Sequence, residues 1–192
     1  MKPTGSLIII SGPSGAGKGT LVDRLVARVP DVWVSISATT RPPRPHEVEG
    51  EDYFFLTPEE FASRIEAGDF LEWAEVHGNR YGTLASTVAS RLERGIDVIL
   101  EIDPQGALQV KELMPDAVLV FILAPSMAEL ELRIRARGAE TDEQIKTRLA
   151  TAVRELQLVE TYDHVVENDD VARATDELVG IIESLRSDEG CL

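Results

Sequence analysis

The chain has 192 residues, of which 43% are hydrophobic and 28% are charged, and this predicts one well-packed globular domain with room for a smaller inserted lobe. Its formal net charge of −15 repels nucleic acids and anionic membranes, so neither is an expected partner. The single cysteine, Cys191, has no partner for an intrachain disulfide, and the first apolar run is too short for a membrane span or a signal sequence. We therefore expect a cytoplasmic protein.

The stretch from Leu7 to Thr20, LIIISGPSGAGKGT, predicts a buried strand, a glycine-rich loop and the beginning of a helix. Glycines allow the backbone N–H groups of such a loop to point at an anion, and here they occupy positions 12, 15 and 17. Lys18 adds a mobile positive charge, and the N-terminus of the following helix adds the positive end of its dipole. The stretch therefore predicts a phosphate-binding loop.

One departure from the usual form of this loop concerns the metal. A Ser or Thr normally follows the lysine and binds Mg²⁺. Here Gly19 follows Lys18, and the first hydroxyl is that of Thr20. The sequence therefore leaves open which group contacts a metal ion.

The segment after the first helix indicates an insertion. We expect that helix to end at Pro30 and a strand to run over Val32–Ile36, after which the sequence SATTRPPRPHEVEGEDYFF is dense in proline, arginine and acids. The elements predicted inside the insertion are a strand over Tyr53–Leu56, a helix over Pro58–Ala67 with Thr57 and Glu60 forming a capping box, a strand over Phe70–Val76, and a turn at 78–82.

Strands and helices alternate again beyond the insertion. The predicted elements are a helix over 85–94 that ends at Gly95, a strand over 98–102, a helix over 104–114, a strand over 118–123, a helix over 126–137, a break at 139–142, a helix over 143–160, a strand at 165–166 and a helix to about 185. This alternation predicts a parallel sheet with helices on both faces, and ligands at the carboxyl ends of its strands.

Two pairs of charged residues stand out. Arg41 and Arg44 lie in TTRPPRP, where prolines stiffen the backbone, and are either a solvated basic loop or a preformed phosphate clamp. Glu101 and Asp103 flank Ile102 at the end of a predicted strand, which places both carboxylates on one face near the phosphate loop. These carboxylates either accept bonds from neighbouring backbone or face a metal-bound water or a substrate.

Four blocks of the sequence resemble guanylate kinases: GPSGAGKGT, SATTRPPRPHEVEGEDYFF, FLEWAEVHGNRYGT and ILEIDPQGA. The resemblance covers nearly the whole chain. It implies an α/β fold with a P-loop NTPase-type parallel sheet flanked by helices, an inserted small α+β lobe that binds GMP, and a helical lid. The core would comprise residues 1–36 and 84–192, with the lid at about 137–147, and the lobe residues 37–83.

The resemblance also implies roles for individual residues. The guanine base would be held by Ser37, Glu72, Thr83 and Asp103, and the phosphate of GMP by Arg41, Arg44, Tyr53 and Tyr81. ATP would be bound by Gly12, Pro13, Ser14, Gly15, Ala16, Gly17, Lys18, Gly19, Thr20, Arg133, Arg137 and Asn168. The catalytic residues would be Lys18, Arg41, Arg137 and Arg148. For Glu72 a physical reason agrees, because guanine offers two adjacent donors that an ionised carboxylate accepts together, whereas adenine offers an acceptor at N1.

The implied activity is transfer of the γ-phosphoryl group of ATP to GMP, and also to dGMP, giving ADP and GDP in purine nucleotide metabolism. The implied cofactor is Mg²⁺, held through water by Thr20 and Glu101. The alternative is a phosphopeptide-binding module with the guanylate kinase fold and no catalysis. The sequence leaves the choice between monomer and homo-oligomer open.

Overall fold

The computed structural model describes residues 5–76, 78–136 and 141–189. The strands are β1 (Leu7–Ser11), β2 (Val32–Val34), β3 (Ala38–Thr39), β4 (Phe54–Phe55), β5 (Phe70–Val76), β6 (Asn79–Leu84), β7 (Asp97–Glu101), β8 (Val118–Leu123) and β9 (His164–Glu167). The helices are α1 (Lys18–Val26), α2 (Pro58–Ala67), α3 (Ala85–Leu92), α4 (Pro104–Leu113), α5 (Met127–Ala136), α6 (Asp142–Leu156) and α7 (Val171–Glu189), with a short 3-10 turn at Val159–Thr161. None of the helices in the described ranges is both long and apolar enough to cross a membrane.

The first sheet is parallel throughout, with the strand order β2-β7-β1-β8-β9. All five residues of its central strand, β1, are buried. Successive side chains of a strand point to opposite faces of the sheet, so β1 is covered on both faces. Ile8 and Ile10 pack into a core with α1 and α7, whereas Leu7 and Ile9 pack into a second core with α4. Helices therefore cover both faces of the sheet, which confirms the predicted α/β class. The carboxyl ends of the parallel neighbours β1 and β7 lie at the same edge of the sheet.

The second sheet is smaller and mixed, with the strand order β4-β3-β6-β5. Strand β3 pairs in parallel with β4 and antiparallel with β6, and β5 and β6 are antiparallel neighbours. Helix α2 packs against this sheet, where the ring of Phe61 stacks on that of Phe70 with centroids 4.4 Å apart. The capping box of α2 is present as predicted, because Thr57 and Glu60 each accept a bond from the other's backbone N–H.

The predicted turn at 78–82 is wrong, because only Gly78 of that stretch lies in a turn and the rest belongs to β6. Gly82 pairs with Trp73 across the β5–β6 hairpin. A Cβ at position 82 would lie 2.9 Å from the Glu72 carbonyl oxygen, so a glycine is needed there for close packing of backbone rather than for turning.

Several element bounds also differ from the predictions. The strand expected over Val32–Ile36 ends at Val34, and the helix expected over 143–160 ends at Leu156. Strand β3 was not predicted, because two residues are too few to show a period. In the predicted lid, residues 137–140 lie outside the described residues, and Thr141 caps α6 in a second capping box.

Candidate active site

The phosphate loop follows β1 and ends where α1 begins. Gly12, Gly15 and Gly17 have φ values of 139°, 93° and 93°, a region that other residues rarely adopt. Gly17 is the N-cap of α1, and a Cβ on it would lie 2.3 Å from the side-chain nitrogen of Asn168. The loop borders a cavity of about 330 Å³, which is lined by Gly12, Ser14, Gly15, Gly17, Lys18, Gly19, Glu101, Ile102, Asp103 and Glu155.

Lys18 folds back over this loop. Its Nζ donates to the carbonyl oxygens of Gly12, at 2.6 Å, and Pro13, at 3.2 Å. These bonds hold the ammonium group at the wall of the cavity, where its charge also interacts with the Glu155 carboxylate and opposes the rise that burial causes in the pKa of that group. The cavity therefore combines a lysine charge with backbone of the kind that binds phosphate.

Two of the three arginines that are predicted to bind ATP or to act in catalysis at the donor site contact the loop region. Arg148 on α6 donates from Nη1 to the Ser14 hydroxyl at 2.8 Å. Arg133 on α5 donates from Nη2 to the Asn168 carbonyl oxygen at 3.0 Å and from Nε to Glu129 at 2.8 Å. The third, Arg137, lies outside the described residues.

Asn168 lies directly after β9 and is 2% exposed. Its Nδ2 donates to the Ala16 carbonyl oxygen at 2.8 Å, whereas its Oδ1 is buried and accepts no hydrogen bond from the residues that the structure describes. In this position Asn168 supports the phosphate loop from behind. Its contact with the adenine of ATP stays a prediction.

A second cavity, of about 220 Å³, opens between the two sheets. The residues that line it are Ser37, Tyr53, Glu72, Ala74, Val76, Tyr81, Gly82, Glu101, Ile102 and Asp103. It shares Glu101, Ile102 and Asp103 with the cavity at the phosphate loop. The two cavities therefore meet at the carboxyl end of β7.

Glu72 is the most deeply buried acid of this second cavity, at 5% exposure. Burial raises its pKa to about 7, the bond that it accepts from the Thr83 hydroxyl at 2.7 Å opposes the rise, and the negative charge of Asp103 adds to it. A Cβ on Gly106 would lie 2.8 Å from Glu72 Oε2. Gly106 was not among the predicted site residues. Its closeness to Glu72, which brings α4 against β5, is what identifies it as part of the site.

Asp103 and Glu101 have different surroundings. Asp103 is the N-cap of α4, and its Oδ1 accepts from the backbone N–H groups of Gln105, at 2.8 Å, and Gly106, at 3.1 Å. Of the two alternatives predicted for this carboxylate, the structure shows the first, hydrogen bonding to neighbouring backbone. Glu101 is exposed at the end of β7, and its carboxylate oxygens would lie 3.7 Å from a Cβ on Gly19.

The predicted phosphate-binding residues of the lobe form one cluster. The Arg41 guanidinium carbon lies 5.3 Å from the centroid of the Tyr53 ring, and the rings of Tyr53 and Tyr81 are 6.2 Å apart. Arg41 is paired through both terminal nitrogens with Glu47, at 2.9 Å and 2.7 Å. Arg44 extends from the same loop with 74% of its side chain exposed, 3.9 Å from Glu47.

These contacts shift two pKa values. The pKa of Glu47 lies below its usual range because the Arg41 side chain and then the Arg44 backbone donate to its carboxylate. The same bond raises the pKa of Arg41, and Tyr81 adds a hydrogen bond to that guanidinium. Sequence alone did not single out Glu47, because three other acids stand within five positions of it.

The central strand of the parallel sheet leads into a glycine-rich loop with a lysine, and a helix follows at once. This arrangement defines the class of P-loop nucleotide-binding proteins. Within that class, comparison with known proteins narrows the assignment. The guanylate kinase family model matches residues 4–185.

Curated relatives point to the same family. A guanylate kinase of Caldanaerobacter subterraneus is 53% identical over 182 residues, which cover 95% of this chain and 88% of the relative. A guanylate kinase of Thermotoga maritima is 46% identical, with the same coverage of both chains. A crystal structure of guanylate kinase from Anaplasma phagocytophilum is 33% identical with a TM-score of 0.77, and the match covers 95% of this chain and 87% of that one. The chain belongs to the guanylate kinase family, and the non-catalytic alternative is not favoured.

Proposed function

We propose that this protein transfers the γ-phosphoryl group of ATP to GMP, and to dGMP, giving ADP and GDP. The observation that carries the proposal is that the cavity at the phosphate loop and the cavity between the sheets share Glu101, Ile102 and Asp103. A donor and an acceptor bound in adjoining cavities can bring their phosphates together, which is the main requirement for direct phosphoryl transfer.

On the donor side, backbone N–H groups of the glycine-rich loop would hold the phosphates of ATP, with Lys18 exchanging its bonds to Gly12 and Pro13 for phosphate oxygens. Arg148 and Arg133 contact this region, which supports the proposal that their guanidinium groups would neutralise charge as the phosphoryl group moves. Arg137 is proposed as a third such arginine from the sequence alone.

On the acceptor side, Glu72 would accept the N1–H and the exocyclic amine of guanine, with Ser37, Thr83 and Asp103 completing the base site. Arg41, Arg44, Tyr53 and Tyr81 would bind the GMP phosphate. None of these residues is assigned to the ribose 2′-hydroxyl, so dGMP should also be accepted. Residues 37–83 are proposed as the GMP lobe, and the rest of the chain as core and lid.

A divalent cation suits the donor side. Glu101 lies at the edge of the phosphate-loop cavity beside Gly19, and Thr20 supplies an exposed hydroxyl on the first turn of α1. Carboxylate, hydroxyl and water oxygens are the ligands that Mg²⁺ prefers, so these residues fit it, through water. When bound with ATP, Mg²⁺ supplies positive charge at the oxygens of the β- and γ-phosphates.

The test is a product assay with purified protein, ATP, Mg²⁺ and one acceptor at a time. We expect equal amounts of ADP and GDP with GMP, a lower rate with dGMP, and almost no product with AMP, CMP or UMP. Chelation of Mg²⁺ should stop the reaction, and its return should restore it. Absence of GDP, together with saturable binding of a phosphoserine peptide, would reject the kinase in favour of the binding module.

A further inference from the structure

We propose that Glu47 is a positioning residue for the GMP phosphate, because its carboxylate holds the Arg41 guanidinium and the Arg44 backbone in the arrangement that receives the phosphate. The inference rests on the proposed function. It assigns a role to a residue that is absent from both the predicted site residues and the proposed phosphate-binding residues. Glu47 would act through the arginines and would not itself touch the nucleotide.

The carboxylate accepts three hydrogen bonds from the loop that carries both arginines. Oε2 accepts from Arg41 Nη1 at 2.9 Å and from the Arg44 backbone N–H at 2.7 Å, and Oε1 accepts from Arg41 Nη2 at 2.7 Å. The Glu47 backbone N–H in turn donates to the Arg44 carbonyl oxygen at 3.0 Å. These four bonds tie Arg41, Arg44 and Glu47 into a closed loop.

This ion pair differs from an ordinary surface pair. The side chains of Arg41 and Glu47 are each 15% exposed, and the pair is bidentate, so solvent screens it less and its geometry is fixed. The exposed pairs elsewhere, such as Arg28 with Asp176, have side chains 48% and 65% exposed. The residue that this pair holds in a fixed position, Arg41, is predicted to bind substrate.

The donors of Arg41 can be accounted for one by one. A guanidinium carries five N–H donors. Glu47 takes one from each terminal nitrogen, and Nη1 gives its second to the Pro42 carbonyl oxygen at 2.8 Å. The two that remain, on Nη2 and Nε, form the other bidentate edge, which matches two oxygens of a phosphate once the hydrogen bond with Tyr81 is exchanged for it. Glu47 therefore orients the guanidinium without occupying the edge that the phosphate needs.

The negative charge of Glu47 has an opposing effect, because it reduces the attraction of the arginine pair for an anion. Positioning and charge can be separated by two substitutions. Glu47→Gln and Glu47→Ala remove the same charge, but Gln keeps one acceptor oxygen near the guanidinium and Ala keeps none. The difference between the two variants therefore reports positioning alone.

The experiment measures kcat, the KM for GMP, the KM for ATP and the melting temperature of both variants. The matched controls are Glu51→Gln and Glu51→Ala, which change an exposed acid in the same segment. We expect Glu47→Ala to raise the KM for GMP at least about tenfold, the equivalent of about 1.4 kcal/mol, and Glu47→Gln to raise it less. The KM for ATP should stay within about twofold, and the controls should match wild type.

A double-substitution cycle tests whether Glu47 acts through Arg41. In an Arg41→Ala background, Glu47→Ala should raise the KM for GMP less than it does in wild type, because the guanidinium is gone and only the bond to the Arg44 backbone remains to be lost. Full additivity of the two effects would reject the inference. So would a KM for GMP that is unchanged or lowered in Glu47→Ala, or equal losses for ATP and GMP.

These outcomes differ from failure of the proposed function. If wild type and the Glu51 variants form no GDP, the kinase assignment is wrong. If they are active and Glu47→Ala is indistinguishable from them, only the role of Glu47 is wrong. If Glu47→Ala melts below the assay temperature, the comparison of Glu47→Gln with Glu51→Gln decides the question.

Discussion

The two halves of the proposed site would bind their nucleotides in different ways. The loop at residues 12–17 uses backbone, with glycines at positive φ and a helix N-terminus behind them. The lobe uses side chains, namely arginines held by a carboxylate and a buried acid whose pKa is about 7. Backbone binds any phosphate of suitable shape, whereas side chains can distinguish a base and can titrate. The donor half should therefore set the rate, and the lobe the choice of acceptor.

The largest effect should follow removal of the lysine charge at the phosphate loop. Lys18→Ala should lower kcat by about 10³-fold or more, because Lys18 would meet charge that develops during transfer. Melting temperature should change little, since Lys18 is partly exposed and its bonds to Gly12 and Pro13 lie within its own loop rather than in a hydrophobic core. The control is Arg24→Ala, which removes an exposed cation from the same helix. Near-normal turnover of Lys18→Ala would contradict the division of roles.

The next largest effect should appear in the lobe and should concern specificity. Glu72→Gln removes the charge and adds a donor, so kcat/KM for GMP should fall roughly 10²-fold while the preference for GMP over AMP narrows. Glu66→Gln, on an exposed acid of α2, serves as the control. Measuring kcat/KM for both acceptors checks this, and an unchanged ratio would mean that the base is recognised elsewhere.

A smaller effect of the same kind should come from Gly106. Gly106→Ala should raise the KM for GMP about tenfold and leave the KM for ATP unchanged, because the new methyl group would press on Glu72 Oε2 from 2.8 Å. Gly180→Ala is the matched control, since nothing lies within 4 Å of its Cβ position on α7 and alanine favours a helix. If the two variants behave alike, contact with Glu72 is irrelevant to binding.

The smallest effect should be on stability as a function of pH. The folded-state pKa of Glu72, about 7, lies above its unfolded value, so its contribution to stability is present at low pH and is lost as pH rises through about 7. Between pH 5 and 8 the free energy of unfolding of wild type should fall by roughly 2 kcal/mol relative to Glu72→Gln. Chemical denaturation of both proteins at several pH values measures the difference, and parallel curves would show that Glu72 is ionised at an ordinary pKa.

The comparison of the two halves also explains what could be predicted from sequence. The loop glycines, Lys18 and the capping box of α2 depend on neighbours within a few positions, and those predictions match the structure. Strand β6 was missed because its glycine resembles a turn signal, and pairing with β5 is a property of the folded chain. Gly106 was missed for the same reason, since it matters through Glu72, which only folding brings near. Glu47 is close in sequence to Arg41 and Arg44, but it was missed because three other acids stand within five positions of it.

The bond from Asn168 to Ala16 has a consequence for the synthesis of the protein. It joins residues 152 positions apart, and Asn168 follows the last strand of the central sheet. A nascent chain that has not yet reached Asn168 contains every residue of the phosphate loop but lacks the group that supports it from behind. Contacts of such long separation form late, because the loop between them must close first. We therefore expect ATP binding to mature only after Asn168 has left the ribosome, so translation products truncated before that residue should bind ATP poorly.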